Sequence, residues 1–203
     1  NPLGAISHAA QLLGESPHIS ANNDTLIKII DKNSQRVNKI VESVLQLSRN
    51  KLPHTENFDL AIWLQTYANE FILQHSLAEF DVKLQNVDNP LLINFDQEQL
   101  FQIVSNLCEN GLRYSHGKPL LKLTIGTNSK HLCLDIQDYG QGMTDKTKGQ
   151  IFEPFFTTES KGNGLGLYLS REICEANQAS LNLHTNTDKG CCFRITFPKV
   201  ITN

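Results

Sequence analysis

Asn106-Leu107-Cys108-Glu109-Asn110, Asp138-Tyr139-Gly140-Gln141-Gly142, Phe152-Glu153-Pro154-Phe155-Phe156 and Gly162-Asn163-Gly164-Leu165-Gly166-Leu167 follow one another, in this order, within about sixty residues. Any one of these blocks alone is a weak signal. Four in series, alternating paired amides, an acidic strand end and closely spaced glycines, specify the architecture around them. Residues 120–126 and 131–138 alternate as an antiparallel pair, with Leu121, Leu123 and Ile125 on one strand and Leu132, Leu134 and Ile136 on the other. Asp138 continues the parity of that second set, so its side chain points to the buried face at the strand's end.

A carboxylate on a buried face needs a hydrogen-bond donor, because leaving it bare costs several kcal/mol. An adenine amino group is a suitable donor; the alternative is a structural Asp capping the turn at Gly140. Gly140 and Gly142 let the backbone pass where a Cβ would intrude. On the helix expected over 97–115, Asn106, Asn110 and Arg113 fall at i, i+4 and i+7 and form one stripe. It lies beside the apolar face of Leu100, Ile103, Val104, Leu107 and Gly111, the shoulder from which polar groups look into a cleft. An Asn carbonyl suits Mg2+, which takes hard oxygen ligands and keeps several waters. The alternative, two solvated helix residues, suits either Asn alone better than the pair.

Gly162, Gly164 and Gly166 precede an apolar helix, and free amides at such a helix start make a phosphate cradle. No long hydrophobic parallel strand leads into them, so a dinucleotide-binding reading fails on context. Phe152, Phe155 and Phe156 sit in the loop between the glycine blocks and are expected to pin a lid over a nucleotide.

Outward from this region, Asp96 with Gln99 makes a capping-box-like start for the 97–115 helix. Short strands are expected at 81–87 and 91–95. Leu60, Trp63, Leu64, Tyr67 and Phe71 mark an amphipathic helix. A helix at 164–177 and two further strands close the chain, the last with Phe193, Ile195 and Phe197 facing one way. Residues 1–50 read differently, as two helices. Leu3, Ile6, Ala10 and Leu13 stripe the first, which Gly14 and Ser16-Pro17 stop. The second runs from Asn22-Asn23-Asp24 to about Asn50, with a heptad seam of Leu26, Ile30, Asn33, Val37, Ile40, Val44 and Leu47. A lone helix cannot bury that seam, so a four-helix bundle completed by a second copy of the chain is expected, Asn33 favouring one register. Pro53-His54-Thr55 reads as the linker.

Composition sets the outer bounds. The 203 residues are 39% hydrophobic and 19% charged, as in an ordinary globular protein. A net charge of -3 gives no basic footprint for nucleic acid or anionic lipid. The five cysteines at 108, 133, 174, 191 and 192 form no C-x-x-C pair, so neither a zinc site nor a disulfide framework is indicated. No apolar stretch approaches the ~20 residues that cross a bilayer, and there is no signal peptide. The chain opens on Asn1-Pro2-Leu3 inside a helical pattern, which reads as part of something longer.

The four blocks resemble the N, G1, F and G2 boxes of the sensor histidine kinases, in their usual order and spacing. Asn1-Pro2-Leu3 resembles the tail of the family's H box, His-Glu-x-x-Asn-Pro-Leu. The stretch from Asn1 to Leu13 is particularly similar to sensor kinases that control type IV pilus genes through NtrC-type response regulators. The resemblance implies an α+β chain: a dimeric phosphotransfer hairpin over 1–52, then over 53–203 a two-layer α/β sandwich with a mixed, mainly antiparallel sheet, the Bergerat fold. It implies ATP and Mg2+ as ligands, with Asn110 on the metal and Asn106 on the same wall. It places Arg113 near the phosphates, Tyr114 against adenine and Asp138 on its amino group, with Gly140 and Gly142 beside it. The Gly162, Gly164, Leu165, Gly166 and Leu167 segment would hold the phosphates, Lys161 would supply a lid cation, and Phe156 would belong to the lid. The implied partners are a second copy of the chain and a response-regulator receiver domain, with no nucleic acid and no membrane contact from these residues. The implied location is the cytoplasmic side, within a protein anchored in the inner membrane.

One position departs from the pattern. The acceptor His would lie four residues before Asn1, leaving no catalytic residue in this chain. His8 is exposed by its place on the first helix, but Ala9 and Ala10 follow it where the family has an acid, so it reads as a solvated His. The other histidines (18, 54, 75, 116, 131 and 184) show no ligand spacing. Two other readings stay open. ATP-hydrolysing relatives of the gyrase, Hsp90 and MutL type carry a Glu base four residues before the Mg-binding Asn, where this chain has Asn106, and a non-catalytic dimerisation and docking scaffold would not need the pocket at all.

Overall fold

The structure, a computed structural model, describes residues 2–15, 27–35, 37–38, 41, 52–75, 81–84, 90–115, 121–128, 131–159, 162, 164–187 and 190–198. The chain divides into two compact units: Asn1–Asn50 with Pro154–Leu165, and Lys51–Glu153 with Gly166–Asn203.

In the first unit, α1 spans Pro2–Gly14 and residues 27–35 form α2. Pro2 suits a first helical turn, where its missing N–H has no partner to lose. A Cβ on Gly14 would lie 3.7 Å from Ile27 Cγ2, so the two helices meet where the first one ends. Ala10 and Ser34 are buried, whereas Ile6, Leu13, Ile29, Val37 and Val41 are each at least 39% exposed in the single chain. The stripe expected to be buried on α1 is therefore covered only in part. Asn33 Nδ2 donates to Ile29 O at 2.7 Å along its own helix. Leu26, Ile40, Val44 and Leu47 of the expected seam lie outside the described residues, as does most of the stretch beyond Val41.

The second unit holds a five-stranded sheet in the order β2-β4-β5-β7-β6 and a separate pair, β1-β3. The strands are β1 (Glu56–Asp59), β2 (Asp81–Leu84), β3 (Leu92–Phe95), β4 (Leu121–Asn128), β5 (His131–Asp138), β6 (Ser180–Thr187) and β7 (Gly190–Thr196). Among the described residues β2 and β4 run parallel and the other pairs are antiparallel. The helices are α3 (Leu60–His75), α4 (Gln97–Tyr114), α5 (Asp145–Lys148) and α6 (Gly166–Ala176), and α4 and α6 pack on each other and on the sheet. Two apolar rows cross the sheet in register: Leu123, Ile136, Phe193, Leu183, and Ile125, Leu134, Ile195, Leu181. All but Leu183 are buried, each contributing about 1.5–3 kcal/mol of transfer free energy. The opposite face carries Asp135 and Arg194, a two-pronged ion pair at 2.6 and 2.7 Å, as befits an antiparallel sheet with one wet side.

β1 and α5 were not legible in the pattern. β1 exists because Asp59, its last residue, caps α3 through Ala61 N at 2.8 Å and also takes Leu91 N at 3.2 Å. The expected capping box on α4 is half realised. Asp96 accepts Gln99 N at 3.1 Å, but the Asp96 N–H donates to Asn177 Oδ1, and Asn177 Nδ2 donates to Gln99 Oε1 at 2.6 Å. Asn177 thus ties the end of α6 to the start of α4. His54 N also donates to Asp96 Oδ2 at 2.9 Å, fastening the expected linker to the same cap.

Candidate functional site

The β5–β7 ladder runs from Cys133↔Thr196 to Gln137↔Cys192 and stops one pair short of Asp138. At that opening the Gln137 amide donates to the carbonyls of Asp138 and Cys191. Asp138 Oδ1 takes the N–H of Cys191 at 3.0 Å and of Gly140 at 2.9 Å. The side chain sits on the buried face, as its parity requires, with 8% of the residue exposed. Both bonds fall on Oδ1, and Oδ2 is the oxygen they do not use. Burial pushes the Asp138 carboxyl above its ordinary range, against the two backbone N–H bonds, which act to lower it. Burial also pushes the neighbouring Cys191 thiol up to about 12, helped by the charge of Asp138. The turn-capping alternative is therefore real chemistry here, and it occupies one oxygen.

The backbone beyond Asp138 is held tightly. A Cβ on Gly140 would stand 2.7 Å from the Tyr114 carbonyl oxygen. Gly142 has φ +72°, the left-handed region, and a Cβ there would run into the carbonyl of Thr187. The next residue is clamped: Met143 N donates to Asn186 Oδ1 at 2.6 Å, and Asn186 Nδ2 donates to Met143 O at 2.8 Å.

α4 carries the stripe Asn106, Asn110 and Arg113, running from half-buried to exposed. Asn106 Nδ2 donates to Ser170 Oγ on α6 at 3.0 Å. A Cβ on Gly166 would overlap the Asn106 amide, so a glycine at the start of α6 is what permits this approach. One turn and more along α4, a Cβ on Gly111 would lie 2.6 Å from Leu121 Cδ2 and 3.2 Å from Asp138 Cβ. α4 thus joins Gly166 at one level to Asp138, Gly140 and Tyr114 at the next. Among the described residues Asn110 has no side-chain hydrogen bond, which keeps its carbonyl oxygen free for a hard cation. Arg113 is exposed in the last turn of α4, and Leu167 is half-buried on α6.

Phe152 meets Phe193 edge to face, ring centroids 6.4 Å apart, and the Arg171 guanidinium lies 5.3 Å above its ring. Phe155 is 60% exposed and adopts φ 67°, a strained conformation for a bulky side chain. Phe156, Gly162, Gly164 and Leu165 belong to the first unit. There Gly164 has φ +69°, and a Cβ on it would run into the Phe155 and Phe156 carbonyl groups. Leu165 is buried, and Phe156 and Gly162 are half-buried. Lys161 lies outside the described residues.

Sequence reading missed Ser170, Asn186 and Cys191. Ser170 was findable, as a polar residue four after Gly166 on the same helix face. Cys191 acts through its backbone N–H, which no side-chain pattern reveals.

The family described as histidine kinase-, DNA gyrase B- and HSP90-like ATPase matches residues 95–201, and the His kinase A (phospho-acceptor) domain matches residues 1–53. The sensor protein kinase PilS of Pseudomonas aeruginosa is 45% identical over 97% of this chain, which spans 38% of that protein. Sporulation kinase A of Bacillus subtilis is 27% identical over 98% of the chain, which spans 32% of it. The chain therefore spans about a third of the length of such relatives. In fold it matches full-length ShkA in complex with AMPPNP (TM-score 0.70, 18% identity, 99% of this chain and 44% of that one). It also matches histidine kinase ThkA in complex with the response regulator TrrA (TM-score 0.70, 21% identity, 98% of this chain and 58% of that one).

Proposed function

We propose a reaction for a chain that belongs to the sensor histidine kinases, its phospho-acceptor domain followed by a histidine kinase-, DNA gyrase B- and HSP90-like ATPase domain. The catalytic region, residues 53–203, binds ATP with its adenine amino group on Asp138 Oδ2. Gly140 and Gly142 border the base, Tyr114 lies against it, and the amides of the Gly162–Leu167 segment, with Lys161 and Arg113, hold the phosphates. Phe156 belongs to the lid over them. Asn110 holds Mg2+, which supplies charge neutralisation on the phosphates. The γ-phosphoryl group then passes to a His presented by the helical hairpin, a step that needs positioning more than covalent help. From there it passes to an Asp of a response regulator, as the pilus-kinase resemblance suggests of the NtrC type. The observation that carries this reading is Asp138: a buried carboxylate whose backbone donors both use one oxygen.

Asn106 bears on the hydrolytic alternative. A water-activating base would have to stand there, and an amide whose nitrogen already donates to Ser170 is no base. For the hairpin, 1–52, the exposed Ile6, Leu13, Ile29, Val37 and Val41 support a bundle closed by a second copy. Among the described residues no helix is long and apolar enough to cross a membrane; cytoplasmic placement, with an anchor elsewhere in a longer protein, is part of the proposal.

The acceptor domain match begins at residue 1 and lends no support to a chain without an acceptor. Labelling of this chain that disappears in His8→Gln would make His8 the acceptor. For the metal, Asn110→Ala should lower affinity for a nonhydrolysable ATP analogue by about tenfold or more in Mg2+ and leave affinity in EDTA unchanged. Equal losses in both would remove Asn110 from the metal.

A further inference from the structure

We propose that Asn186 is a positioning residue for base recognition, placed by a bulge in β6. The inference deepens the nucleotide reading above and rests on it. In the β6–β7 register Leu183 faces Phe193, yet Thr185 faces Cys192, so His184 is an extra residue. Strand parity puts Leu181 and Leu183 on the helix-covered face and would send residue 186 to the wet face. The inserted residue inverts that parity, and Asn186, opposite Cys191, comes to the face that holds Asp138.

There its amide engages both sides of the strand end. Oδ1 accepts the Met143 N–H at 2.6 Å and the Cys191 thiol at 3.1 Å, while Nδ2 donates to the Met143 carbonyl at 2.8 Å. Cys191 in turn gives its N–H to Asp138 Oδ1. One side chain therefore fixes the loop from Gly140 to Met143 relative to the carboxylate it borders. Replacing the pair of Met143 bonds by water would let the loop shift without unfolding the sheet, whose apolar rows do not include Asn186. The consequence falls on the base and not on the phosphates.

The test compares Asn186→Ala with the wild-type chain, using nonhydrolysable analogues of ATP and of inosine triphosphate, which lacks the adenine amino group. Asn186→Ala should bind the ATP analogue about tenfold more weakly, the cost of two net hydrogen bonds, while the inosine analogue changes by less than about threefold. The preference for adenine then shrinks. Asn186→Gln, which keeps both the acceptor and the donor on a longer side chain, should fall between, and it carries the same comparison if the Ala variant does not fold. Equal loss for both analogues, or no loss, overturns the proposal and leaves Asn186 a purely structural residue. Failure of the wild-type chain to bind either analogue overturns the nucleotide reading itself, and this inference with it.

Discussion

Asp138→Asn should weaken binding of an ATP analogue by roughly a hundredfold while leaving the fold intact. Asn matches Asp in shape, and its carbonyl oxygen can keep the Gly140 and Cys191 N–H bonds. What changes is the other atom: an NH2 replaces Oδ2 and meets the adenine amino group donor to donor. Buried polar groups left facing a like partner are what sites reject most strongly. The pH behaviour supplies a second readout. Burial raises the folded carboxyl above its ordinary value. Its contribution to stability is then fully present below the unfolded pKa and is lost as pH rises through the folded one. Near neutral pH the ionised Asp138 is a net cost to the free protein, so Asp138→Asn should melt no lower than wild type there, and the gap should close as pH falls. A variant that loses both binding and stability would show that Asp138 is only a turn cap.

Gly142→Ala has the second largest expected effect. At φ +72° an alanine costs about 1–2 kcal/mol, and its Cβ points into the Thr187 carbonyl. Either the strand end or the loop must yield, and yielding breaks the Met143–Asn186 bonds. The melting temperature should fall by roughly 5 °C and analogue affinity by about a hundredfold. Calorimetry and titration calorimetry read the two. Wild-type affinity in a destabilised variant would mean that this loop does not border the nucleotide.

Much of this is legible in the sequence. The alternation of Leu132, Leu134, Ile136 and Asp138 fixed both the strand and the face of the carboxylate, because period two leaves no freedom once one face is buried. The 3.6 period did the same for α4 and its Asn stripe. Three kinds of feature escaped. β1 is four residues long and depends on Asp59 capping a helix and holding Leu91, contacts distant in sequence. The return half of the α4 cap passed to Asn177, some 80 residues away, because a well-placed side chain just beyond the end of α6 takes the Asp96 N–H in place of Gln99. Asn186 was hidden by the bulge at His184, since parity counted through an extra residue gives the wrong face. Within the Phe block nothing in the sequence signals that Phe152 meets Phe193 while Phe155 is exposed, since both depend on contacts and backbone angles that the pattern does not record.

The account stands most directly on a single titration of the 15N-labelled chain with a nonhydrolysable ATP analogue and Mg2+. The amides of Gly140, Gly142, Asn110, Gly162 and Gly164 should all shift along one saturable curve, and in Asp138→Asn that curve should move to much higher concentration. Shifts confined to the glycines of one segment, or two curves with different midpoints, would mean that the carboxylate, the Asn stripe and the glycine amides serve no common nucleotide.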